Sequence, residues 1–149
     1  MVVRVVYHST TGNTEKIART IAEAMNVQSE QIGEDTIVFT DEVDLLFLGD
    51  GIYWNKPHKK TKAFCMGLDP EKIKYAAVFG TYGNQTKIGD ELGRLLQDKG
   101  VNVVGSPFVC KGKSVGTKNQ DHPDENDLRM ASEYAKGICT EISLLQKLT

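Results

Sequence analysis

Between Tyr7 and Glu15 the chain reads His-Ser-Thr-Thr-Gly-Asn-Thr, a run of short polar side chains around one glycine. Ser9, Thr10, Thr11 and Thr14 offer neutral hydroxyl donors, Asn13 an amide, and Gly12 lets the backbone bend close to a ligand. The run joins a β-branched apolar segment, Val2–Tyr7, to a segment of helical periodicity that starts near Asn13. At such a junction the first N–H groups of the helix lack intrahelical partners, and the helix dipole adds partial positive charge. A phosphate monoester needs these groups. The loop contains no Lys or Arg and no GxxxxGK[ST] pattern, which argues against a nucleoside triphosphatase. It has no GxGxxG either, so a dinucleotide site of that type is not expected. Taken alone, the same residue types also make an ordinary turn and helix cap.

Two later loops carry further chemistry. Gly49-Asp50-Gly51-Ile52-Tyr53-Trp54-Asn55 follows an apolar run and places two aromatics side by side. Tyr and Trp present flat faces that can stack on a ring; Trp54 could instead cap the core or meet a partner. Gly80-Thr81-Tyr82-Gly83-Asn84-Gln85-Thr86 follows another apolar run. There Tyr82 is a second candidate for stacking, or simply packs the loop.

The elements that must position these loops alternate between strand and helix. Val2–Tyr7 is a strand of the kind buried on both faces, with Arg4 discordant. Asn13–Met25 is a helix with Ile17, Ile21 and Met25 on one face. For the second strand Val27–Ile32 competes with Ile37–Phe39, and the alternating, polar first choice suits a sheet edge better. Asp44–Gly49 is a buried strand, Pro57–Met66 a short helix with Pro in its first turn, and Tyr75–Gly80 a strand. Thr86–Lys99 is a helix capped by Gly100, and Asn102–Val109 a strand that Pro107 disturbs. The last helix starts at Pro123, has Asp124, Glu125 and Asp127 in its first turn, and repeats apolar residues from Leu128 to Leu145. Helices between strands imply a parallel sheet covered on both faces. The expectation is an α/β fold: a doubly wound five-stranded parallel sheet of order 2-1-3-4-5 in a three-layer sandwich, one domain over residues 1–149. Ligands bind such sheets at the carboxyl ends of the strands, where all three loops fall.

With the loops in that context, the chain resembles the flavodoxin family over nearly its whole length. The resemblance rests on [ST]-x-T-G-N-T after the first strand, on DLLFLGDGIYW and on AAVFGTYGNQ, and the length suits the short-chain type. It implies that Ser9, Thr10, Thr11, Gly12, Asn13 and Thr14 wrap the phosphate of flavin mononucleotide (FMN). It implies also that Gly51, Ile52, Tyr53, Trp54 and Asn55 meet the isoalloxazine, with Tyr53 stacking, and that Thr81, Tyr82, Gly83 and Asn84 line its pyrimidine side. Trp54 stands where many flavodoxins have glycine, and the third loop is shorter than usual and lacks a stacking aromatic beyond it. The implied function is electron transfer between redox partner proteins, a reductase and an acceptor, with no catalytic residue. The alternative is an FMN-dependent oxidoreductase of the same fold, of the quinone reductase or protoporphyrinogen oxidase type. A flavin-free signalling domain is disfavoured, because the acidic cluster and lysine of receiver domains are absent.

Bulk properties agree with a soluble globular chain: 149 residues, 40% hydrophobic, 26% charged and a net charge of -2. Neither nucleic acid nor a membrane is an expected partner, and the short apolar start is no signal peptide, so the cytoplasm is the expected location. Locally the balance differs. Lys56, His58, Lys59, Lys60 and Lys62 follow the aromatic loop, and Lys111, Lys113 and Lys118 follow the fifth strand at the same end of the sheet. Such a rim suits partners with acidic docking faces, although solvated helix faces also carry lysines. Cys65, Cys110 and Cys139 read as buried reduced thiols, and neither they nor the scattered His8, His58 and His122 suggest a metal site.

Overall fold

A computed structural model describes residues 1–33, 35–51, 56–83, 87–113 and 119–148. Among them the strands are β1 (Val3–Tyr7), β2 (Ser29–Gln31), β3 (Val43–Gly51), β4 (Ile73–Tyr82) and β5 (Phe108–Lys111). The α-helices are α1 (Asn13–Met25), α2 (Lys59–Met66), α3 (Ile88–Asp98) and α4 (Glu125–Lys147), and a 3-10 turn spans Pro70–Lys72. All strand pairs are parallel, in the order β2-β1-β3-β4-β5. This is the doubly wound order expected from the alternation of elements.

Alternation along each strand builds two cores. Val5, Phe47 and Phe79 face α1 and α4, where Ile17, Ile21, Ala135, Ile138 and Ile142 bury against them. Their neighbours Val6, Leu46, Leu48 and Val78 point to the opposite face, against Cys65 of α2 and Ile88, Leu92 and Leu96 of α3. Both faces of β3 and β4 are covered, which is why those strands read as unbroken apolar runs.

The edge strand is the alternating segment, with Ser29–Gln31 beside Val5–Tyr7. Phe39, from the competing segment, is buried in the second core. The discordant Arg4 acts between the two. Its Nε and Nη2 donate to Glu30 on β2, each at 2.6 Å, and its guanidinium lies 4.5 Å from the centre of the Phe39 ring. A half-buried arginine thus ties the edge strand to its neighbour.

Three boundaries need correction. The strand expected over Asn102–Val109 is split: Val103 makes one isolated bridge to Ala76, and the regular strand starts only at Phe108, beside Phe79. Pro107 has no N–H for the ladder, and Gly105 turns the chain before it with a φ of 70°. Pro57 is not in a first turn. His58 is the N-cap of α2, its Nδ1 accepting from Lys60 N at 3.1 Å, and Pro57 precedes it. Pro123 likewise lies before the N-cap of α4, where Asp124 and Asp127 form a capping box and His122 Nδ1 lies 2.7 Å from Asp127 Oδ2. For α3, Lys87 is the N-cap, and the expected start at Thr86 lies outside the described residues. Gly100 follows α3 with a φ of 93°, as a terminating glycine should.

The cysteines are free. Burial pushes the Cys65 and Cys110 thiols up to about 12, so both stay protonated at neutral pH. Cys139 departs from the expectation in being only half-buried, and its thiol is also raised by burial. Among the described residues no helix is long and apolar enough to cross a membrane.

The sheet is tightest beneath its carboxyl end. A methyl added at Gly49 would lie 2.1 Å from the Phe79 ring. Gly49→Ala is therefore expected to cost about 1–3 kcal/mol in urea unfolding, as overpacking does. Combined with Phe79→Leu, which makes room, the loss should be clearly smaller than the sum of the two single losses. Strict additivity would show that the clash is relieved elsewhere.

Candidate functional site

Because the sheet is parallel, β1, β3, β4 and β5 deliver Tyr7, Gly51, Tyr82 and Lys111 to the same end. The loop from His8 to Gly12 leads there into α1. Ser9 Oγ accepts from Gly12 N at 3.0 Å, which folds the loop back on itself. Gly12 then enters the helix with a φ of 91°, a conformation that disfavours any side chain. Gly12 is the N-cap of α1 and supplies no side-chain acceptor; α2 and α4 are capped by His58 and Asp124, while α3, with Lys87 as N-cap, also has no side-chain cap. The start of α1 thus keeps donors available to a ligand beside the exposed Thr10 and Thr11. Such a donor set without a cation fits a phosphate that brings its own negative charge.

The loops after β1, β4 and β5 are joined by direct contacts. Thr14 Oγ1 and Thr81 Oγ1 lie 2.9 Å apart, both residues being buried. Asn13 Nδ2 donates to Lys113 O at 2.9 Å, and Gly112 N donates to Tyr82 O at 2.9 Å. Gly112 is required there, since a Cβ would come within 2.7 Å of the Asn13 amide. Asn13 and Thr14 therefore brace the loops, while Thr10 and Thr11 are the hydroxyls presented to solvent. Gly51 is buried at the end of β3, and Tyr82 and Gly83 are half-buried at the end of β4. Ile52, Tyr53, Trp54, Asn55 and Asn84 lie outside the described residues.

The sequence reading missed a buried polar cluster in the same region. Asp50 is fully buried, and His8 is 6% exposed. Asp50 Oδ1 accepts from Gly51 N at 2.7 Å and lies 3.3 Å from His8 Nδ1; Oδ2 accepts from His58 N at 2.8 Å. The rings of His8 and His58 stack with centroids 4.0 Å apart. An aspartate in an otherwise apolar run, DLLFLGD, was the available signal: a carboxylate beside the core must be paired. Asn119 was missed too; its Nδ2 donates to Gly83 O at 3.0 Å.

Around this end, Lys56, Lys59, Lys62, Lys111 and Lys113 are exposed and Lys60 is half-buried; Lys118 lies outside the described residues. A separate apolar cleft of about 450 Å³ opens between residues 32–39 and α2, lined by Ile37, Phe39, Phe64 and Leu68. Among the described residues, none expected to bind a ligand lines it.

Residues 4–118 match the flavodoxin domain family. The chain belongs to that family. Among its relatives, an uncharacterized protein of Methanocaldococcus jannaschii is 35% identical over 136 residues, covering 85% of this chain and 89% of its own. The flavodoxin-like domain-containing protein BilS of Clostridioides difficile is 28% identical, covering 95% of this chain and 98% of its own. Of the solved structures, an archaeal flavodoxin superposes with a TM-score of 0.70 at 19% identity, over 96% of this chain and 99% of its own. A WrbA-like flavodoxin of Agrobacterium tumefaciens gives 0.73 at 18%, over 95% and 97%. Likeness at that identity concerns the fold. Family membership implies a flavin-type cofactor.

Proposed function

We propose that this flavodoxin-family chain binds one FMN at the carboxyl end of its sheet and passes electrons between redox partner proteins. The observation that carries the reading is the start of α1: a glycine N-cap in the left-handed region, N–H groups with no side-chain cap, and neutral hydroxyls beside them. Ser9, Thr10, Thr11, Gly12, Asn13 and Thr14 hold the phosphate in this reading. Gly51, Ile52, Tyr53, Trp54 and Asn55 hold one side of the ring, and Thr81, Tyr82, Gly83 and Asn84 the other. FMN, once bound, supplies the redox chemistry, and the protein sets where the ring lies and what surrounds it. The roles of this chain are then physical. Backbone N–H groups bind the phosphate, the Thr14–Thr81 contact holds the first and third loops in register, and aromatic faces exclude water from the ring. None of these roles requires a side chain to act as acid, base or nucleophile.

The phosphate assignment is tested by comparing FMN with riboflavin, which lacks the phosphate. Thr11→Val is expected to weaken FMN by about 1.5–3 kcal/mol, roughly 10- to 150-fold, and riboflavin hardly at all. Thr14→Val also breaks the Thr81 contact, so it should add a smaller loss shared by both ligands to the FMN-specific one. Equal losses for both ligands would remove this loop from the phosphate.

The lysines set the partner class. Lys56, Lys59 and Lys62, which follow β3 in the chain, and Lys111 and Lys113, at the end of β5, are exposed. A productive partner then presents acidic groups, and association is steered by charge. With acidic and basic redox proteins offered to the reduced chain at low salt, the acidic ones should react faster, and added salt should slow them. Lys59→Glu with Lys60→Glu should reverse the preference. Faster reaction with basic partners, unaltered by the two substitutions, would make these lysines an ordinary solvated surface.

A further inference from the structure

Asp50 stands at the point where β3 leaves the sheet, and its carboxylate is fully buried. A buried charge is costly unless it is paired and hydrogen-bonded, so its partners reveal its purpose. Two of them are backbone donors at the two ends of one loop: Gly51 N at 2.7 Å and His58 N at 2.8 Å. The third is His8, the residue that follows β1 and precedes the phosphate loop, at 3.3 Å. One side chain thus touches three separate places in the candidate site. We propose that Asp50 is a positioning residue: its carboxylate ties Gly51, at the end of β3, to His58, at the start of α2, and through His8 links both to the entrance of the phosphate loop. This deepens the FMN reading, on which it rests for its meaning to the cofactor. Gly51, His58 and His8 are held together before the ligand arrives, which lowers the ordering cost of binding.

His58 adds a condition on proton occupancy. Its Nδ1 accepts from Lys60 N at 3.1 Å as the N-cap of α2, so the neutral ring carries its proton on Nε2. Its ring also stacks on His8. A protonated His58 would lose the cap, because Nδ1 would then be a donor. Among the described residues, the groups facing it include His8 from the end of β1, Asp50 from β3, and Lys59 and Lys60 from α2. Burial, foremost, and then His8, Lys60 and Lys59 push the His58 imidazole below its ordinary value, against the pull of Asp50. The folded value is the lowered one, so the stabilisation is present above the ordinary imidazole value and is lost as pH falls toward the folded value.

Amide hydrogen exchange in the chain without FMN tests both parts. In Asp50→Asn, exchange at Gly51 and His58 is expected to accelerate about 10-fold or more, while strand amides such as Leu46 and Val78 keep their rates. Unchanged rates at Gly51 and His58, or equal acceleration throughout the sheet, would overturn the positioning role. Should Asp50→Asn fail to fold, the wild-type chain and His58→Asn decide. The Lys60 amide signal should follow the His58 titration in the wild type; in His58→Asn, which keeps a capping acceptor, it should stay protected and insensitive to pH. A wild-type Lys60 amide indifferent to that titration contradicts the arrangement. A final arm measures FMN affinity. Asp50→Asn should weaken FMN and riboflavin alike, by about 10-fold, because the defect lies away from the phosphate. Faster exchange at Gly51 and His58 with unchanged affinity would overturn the claim that the fixed register serves the ligand. If the wild-type chain binds no FMN, the functional reading fails, while the exchange rates still decide the role of Asp50.

Discussion

The N–H groups at the start of an α-helix must find acceptors from outside it. In α2 and α4 side chains meet that need: His58 accepts from Lys60 N, and Asp124 from Asp127 N. In α1 the N-cap is Gly12, which brings no acceptor, and Ser9 Oγ is engaged with Gly12 N. The parallel sheet places this open helix start beside the ends of β3 and β4. Other features follow from that juxtaposition. Gly12 takes a φ only glycine adopts easily, and Thr14 reaches across to Thr81. Asn13 is drawn toward the loop after β5, which packs a glycine against it. A positive side chain is not needed, because the dipole and the donors already favour an anion.

The second organising element is a charge rather than its absence. A buried aspartate at the mouth of a hydrophobic strand would destabilise the chain if left alone. Its three partners repay that cost and link the end of β3 and the start of α2 to the residue that follows β1. Apolar packing fixes the strands beneath, and polar contacts fix the loops above. The clearest seam between the two regimes runs through Gly49 and Gly80. Side chains at these positions would strike Phe79 and Ile88 respectively, so the backbone stays bare where the core gives way to the site.

Much of the architecture was legible because its signals are local. Ile17 and Ile21 recur at helical spacing, and β3 and β4 are apolar on both faces, so the strand–helix alternation and the strand order could be read directly. The loop between β1 and α1 was legible for the same reason, since its residues are consecutive. What escaped depended on residues distant in sequence. Arg4 looks out of place in a buried strand until Glu30 and Phe39 are set beside it. The break at Pro107 could be suspected, but its packing against Gly89 of α3 could not. His8 and His58 read as scattered, and Asp50 went unread, because parallel strands, not chain neighbours, bring them together. The capping role of His58 depends on where α2 begins, a boundary that Pro57 made ambiguous.

An amide map of the isotopically labelled chain during FMN titration reads the location of the proposed FMN site directly. The expected result is saturable 1:1 binding that shifts the amides of Thr10 to Thr14, Gly51 and Thr81 to Gly83 most strongly. Residues lining the apolar cleft beside α2, such as Ile37 and Phe64, should hardly move. Shifts centred on that cleft, or spread thinly over the lysine-rich surface with no saturation, would contradict the central claim that the open start of α1 is the phosphate site.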